Sequence, residues 1–107
     1  MERIVIVGYK PLPGKETELK NLMKNHWHTL DKEGLVSERK SIMCQSNDGT
    51  IIEVFGWKSK EAIEQSHSNK TVQKMWQEYT EICEYVPISN IGESLNLFSE
   101  FDPLDFE

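Results

Sequence analysis

No stretch of this sequence concentrates positive charge. Twelve Lys and Arg stand against 18 Asp and Glu, a net charge of −6 over 107 residues. Phosphate backbones are held by dense positive surface, which argues against nucleic acid as a partner and against an anionic membrane surface. Long apolar runs are missing too. The run inside MERIVIVGYK is far too short for a signal peptide or a membrane helix. A soluble, cytoplasmic protein is the expectation. Cysteine is scarce. Cys44 and Cys83 lack metal-ligand spacing and are expected to be reduced and inert. There is no phosphate-cradling Gly loop, dinucleotide fingerprint or Cys/His metal cluster, so neither a metal nor a cofactor is expected. Internal linkers, low-complexity tracts and short repeats are absent as well. One domain is expected, small enough to bury only roughly two-thirds of its unfolded surface.

What is present alternates between two periods. Arg3 to Tyr9 is rich in β-branched residues and reads as a strand, with Ile4 and Ile6 on one face and Val5, Val7 and Tyr9 on the other. Prolines and Gly14 end it. Lys15 to Lys32 reads as a helix whose stripe is Leu19, Leu22, Met23, His26, Trp27 and Leu30, with Gly34 as its stop. Leu35 to Ser46 and Thr50 to Trp57 read as a hairpin about Asn47-Asp48-Gly49. A two-residue turn puts Cys44 opposite Glu53, and a three-residue turn moves the register by one. Ser59 caps a short helix to about His67. A longer helix restarts after Ser68-Asn69, with Val72, Met75, Trp76, Tyr79, Ile82 and Cys83 on one face and Pro87 as its end. Asn90 to Ser99 reads as a final strand.

The order is an α+β, ferredoxin-like split βαββαβ, with two helices covering one face of a four-stranded antiparallel sheet over residues 1–99. Residues 100–107 form an acidic, aromatic tail. The first and third strands are apolar on both faces. An apolar sheet face without helices marks an interface, so a homodimer packed through that face is expected. The tail is expected to be solvated or to dock on the partner through Phe101, Leu104 or Phe106.

Several residues carry chemistry by type and place. Glu53 sits mid-strand among apolar residues. Facing the helices, it would be a desolvated base for proton abstraction; facing outward, it would pair with Lys40 or solvent. His67 is either an acid–base group at a cavity mouth or a helix-end residue bonding a carbonyl. Trp57, Phe55, Trp76 and Tyr79 would wall an aromatic pocket or simply fill a core. His26 on the helix stripe reads as a core histidine or a pocket residue. His28 points elsewhere, because i and i+2 do not share a helix face, so His26 and His28 are not a metal pair. Arg39 would hold a carboxylate or phenolate through its planar fork, or lie on the surface.

The run Trp57-Lys58-Ser59-Lys60-Glu61-Ala62-Ile63, followed by His67, and the earlier Pro13-Gly14-Lys15 resemble the antibiotic-biosynthesis-monooxygenase (ABM) family of dimeric α/β barrels. The likeness covers about residues 3–99. It implies a cofactor-free oxygenase acting on small phenols or quinols in a pocket between sheet and helices, with Glu53 and His67 as catalytic groups. Glu53 stands where the polyketide-oxidising members carry Asn. Haem-degrading members need an Asn on the first strand, and Val5, Ile6, Val7 and Gly8 offer none. The alternative is a non-catalytic ligand-binding or dimerisation module of the same fold.

Overall fold

The computed structural model describes residues 1–106. Its elements run β1 (Arg3–Pro11), α1 (Glu16–Lys32), β2 (Ile42–Gln45), β3 (Ile51–Trp57), α2 (Lys60–Ser68), α3 (Lys70–Thr80), β4 (Cys83–Val86) and β5 (Asp102–Pro103). The strands form one antiparallel sheet in the order β4-β1-β3-β2-β5. The molecule is thus a small α+β domain with a five-stranded sheet, not the four-stranded sheet expected.

Two departures account for the difference. Asn90 to Ser99 is not a strand but 3-10 turns, Ile88–Asn90 and Gly92–Leu95, followed by irregular chain. The fourth strand comes instead from Cys83–Val86, read above as helix. Ile82 and Cys83 do fall at helical spacing, but the edge of β1 from Gly8 to Pro11 has unmet backbone groups, and β4 satisfies them. The fifth strand is the tail. It runs back along β2 of its own chain, and Leu104 N–H donates to the Met43 carbonyl at 3.1 Å. Leu104 and Phe106 pack against the core of that chain, while Glu100, Asp102, Pro103 and Asp105 are exposed. Its last residue, Glu107, lies outside the described residues.

The hairpin settles the register. Ser46 N–H donates to the Thr50 carbonyl across a three-residue turn, and Gly49 takes φ +91°. Met43 therefore faces Glu53 and Cys44 faces Ile52, one residue from the two-residue alternative. Ile51, Glu53, Phe55 and Trp57 share the helix-side face with Val5, Val7 and Tyr9. Helix α1 ends where Gly34, at φ +71°, lets Leu35 N–H reach back to the Leu30 carbonyl. Ser59 caps α2 and Asn69 caps α3, each side chain accepting the N–H of the residue three on.

The core is two clusters under the helices. Tyr9, Leu19, Met23, Ile51 and Tyr79 belong to one, and Leu30, Val36, Phe55, Trp57 and Val72 to the other. The opposite sheet face is barer. Ile4 is 54% exposed, Ile6 48% and Ile42 67%. Its Gly8–Val86 end is covered, where Ile91 is buried, and Glu2 and Ser37 lie over Gly56.

Candidate functional site

Glu53 is the one acid in the centre of the sheet, and it is 0% exposed. Both neighbouring strands fix it there: it lies between Val7 of β1 and Met43 of β2. A carboxylate so placed is costly unless it is paired and hydrogen-bonded. Two side chains meet it. Tyr9 Oη donates to Glu53 Oε1 at 2.9 Å. His26 Nδ1, from α1, lies 2.9 Å from the same oxygen. That contact is close, but it is not aligned along the ring N–H as a hydrogen bond. Glu53 Oε2 is buried without a partner among the described residues, as is the Tyr79 hydroxyl.

The rings around this carboxylate form a continuous aromatic cage. His26 meets Tyr9 at 5.8 Å, Phe55 at 5.7 Å and Tyr79 at 5.5 Å between centroids, each nearly edge to face or steeply inclined. Tyr9 carries a phenol pushed well above its ordinary range, first by burial and then by the Glu53 charge. Burial, followed by the same charge, raises Tyr79 too. Both phenols therefore stay protonated at neutral pH, and Tyr9 donates to Glu53.

His26 and Tyr9 also face a cavity of about 470 Å³. Its other walls are Val5, Val7, Phe55 and Trp57 of the sheet, Trp76 and Thr80 of α3, and Tyr85 of β4. Among the described residues, no Asp, Glu, Lys or Arg lines it. Tyr85, half exposed at its edge, has a phenol pushed up to about 12 by burial. Glu53 does not line the cavity; it stands behind His26 and Tyr9. With Nδ1 turned to Glu53, the opposite ring nitrogen of His26, Nε2, is the one available to a bound molecule.

The expected site residues divide accordingly. Trp57, Phe55, Trp76 and His26 line the cavity, and Glu53 backs it. Tyr79 is buried beside them without forming a wall of this cavity. His67 does not join them. It is exposed on α2, with its ring edge-on to Trp76 at 5.7 Å and its carbonyl accepting from Gln73. Arg39 is also outside. Its Nε donates to Glu2 Oε1 at 3.0 Å on the surface, and Lys40 is not paired with Glu53. Tyr9 and Tyr85 join the lining; in the sequence Tyr9 is one of three residues on one face of the first strand, and Tyr85 follows a stretch that reads as helix through Cys83. Among the described residues, no group of three or more His, Cys, Asp or Glu is placed to hold a metal ion. Nor is any helix there long and apolar enough to cross a membrane.

No family model and no curated relative matches the chain. A solved structure does. The fold is similar to that of Rv0793 from Mycobacterium tuberculosis, with a TM-score of 0.63 over 80% of this chain and 91% of that one. Sequence identity between the two is 15%, so the likeness is one of fold.

Proposed function

We propose that the chain is a cofactor-independent oxygenase of small, uncharged phenols or quinols, of the antibiotic-biosynthesis-monooxygenase kind. The observation that carries this reading is the buried Glu53–His26 pair opening through His26 onto an aromatic cavity without charges. A volume of about 470 Å³ is within the range of pockets that enclose small ligands. The roles differ from those the motif implies. His26 is the base, Glu53 the group that orients it, and Tyr9 the donor that holds Glu53. His67 has no part.

The chemistry follows from those roles. His26 Nε2 accepts the phenolic proton, and the Glu53 carboxylate compensates the imidazolium that forms. The apolar walls exclude water from the electron-rich phenolate. Molecular oxygen accepts its electrons directly. One oxygen atom bonds to a ring carbon, and the other leaves as water with the phenolic proton and the displaced ring proton. The products are a quinone and water.

The strand order β4-β1-β3-β2 with α1 after β1 and helices after β3 supports a split βαββαβ core to which β5 is an addition. The exposed Ile4, Ile6 and Ile42 support a homodimer through the bare sheet face. The test of function is an oxygen-electrode screen of two- and three-ring phenols and quinols, each corrected for its uncatalysed oxidation. Oxygen uptake with one quinone formed per oxygen consumed is the expected result. Binding without uptake would leave a ligand-binding module and remove the oxygenase reading.

A further inference from the structure

A second cavity, of about 630 Å³, lies on the other side of α1, between that helix, the lead into β2 and the C-terminal tail. Its lining is unlike that of the central one. Lys24 and His28 enter it from one face of α1, four residues apart, and Lys40 enters from the segment before β2. Its flat walls are Trp27, Phe101 and Phe106. Asp105 is the one acid among its lining residues. In a chain of net charge −6, three basic side chains brought together from two segments run against the overall field. Among the described residues, neither Lys24 nor Lys40 has a carboxylate within ion-pair distance. Lys24 instead lies over the Phe106 ring, 5.9 Å from its centroid.

We infer that this cavity binds a flat aromatic carboxylate. Lys24 and Lys40 hold the carboxylate, and Trp27, Phe101 and Phe106 pack on the ring. Lysines suit this ligand as mobile point charges at a rim, while the aromatic walls accept its π-face. The central cavity, lacking any cation, would take the uncharged counterpart, so the two cavities differ in the charge of what they admit.

The test is calorimetric titration of the intact chain with 2-naphthoate. Saturable binding is expected, weakened by about tenfold in the Lys24→Ala/Lys40→Ala double variant, a loss typical of a charged hydrogen bond. Trp27→Ala removes one flat wall and should also weaken binding. His26→Gln should bind naphthoate as the unaltered protein does, and 2-naphthol should not compete. Each variant is checked for its urea midpoint, so that a loss of binding is not a loss of fold. No saturable binding, undiminished binding in the double variant, or binding lost in His26→Gln would each overturn the assignment.

Discussion

At the scale of the residue, the governing fact is a carboxylate without solvent. Glu53 is tolerable in the sheet because Tyr9 donates to it and His26 stands against the same oxygen. Removing the donor exposes the cost of burial. Tyr9→Phe keeps the ring packing on His26 and Tyr79 but takes away the hydroxyl, and should destabilise the fold by about 2 kcal/mol, the range for hydrogen bonds to charged groups. Urea unfolding measures this. An unchanged midpoint would mean that Tyr9 does not support Glu53. The sequence showed Glu53 as an anomaly among Ile51, Ile52, Val54 and Phe55. It did not show the partners, since Tyr9 is 44 residues away and looked like an ordinary strand aromatic. His26, on an apolar helix stripe, looked like a core histidine until the hairpin register turned Glu53 towards it.

At the scale of the element, the hairpin and the tail make separate predictions. Asp48 accepts from Ser46 and from Thr50 N–H, which holds its carboxyl down at about 2, below its ordinary value of 3.8. A depressed acid stabilises the fold when ionised. Its contribution is complete above about pH 4 and is lost as pH falls towards 2. Because Asp48 is exposed, solvent screening limits that contribution to about 1 kcal/mol or less. Asp48→Ala should therefore lower stability at pH 7 and shrink its acid dependence between pH 4 and 2, as read by urea midpoints across pH. Equal pH dependence in both proteins would contradict this. In the tail, Leu104 and Phe106 are half-buried on the chain's own core. The Leu104→Ala/Phe106→Ala variant should lose about 2 kcal/mol by lost apolar burial, and an unaltered urea midpoint would show the tail to be dispensable. β1, β3 and the three helices were legible because their periods are long and clean. β4 and β5 were not: strands of four and two residues carry too few alternations to stand against helical spacing or acidic composition, and β2 is the last part of the longer run read from Leu35 to Ser46.

At the scale of the whole molecule, the sheet separates two unlike faces. The helix side encloses the Glu53–His26–Tyr9 group, and the bare side presents Ile4, Ile6 and Ile42 to whatever covers it. If a second copy covers it, the interface should be of standard size, on the order of 1,600 Å² in total. Ile6→Lys puts a charge into that face without touching the cavity. Sedimentation at micromolar concentration should show a dimer for the unaltered chain and a folded monomer for the variant. A monomer of 12.5 kDa for the unaltered chain would remove the homodimer.

The cavity's role as a reaction site rests on one nitrogen, and the most direct measurement is the initial rate of oxygen uptake by the unaltered chain and by His26→Gln, with the same saturating phenol. Loss of the base should lower the rate by roughly 10²–10⁴-fold. Glu53→Gln should fall between the two, because its side chain acts through His26. The unaltered protein consuming oxygen no faster in the presence of the phenol than the buffer does, or His26→Gln retaining the full rate, would contradict the assignment of His26 as the base.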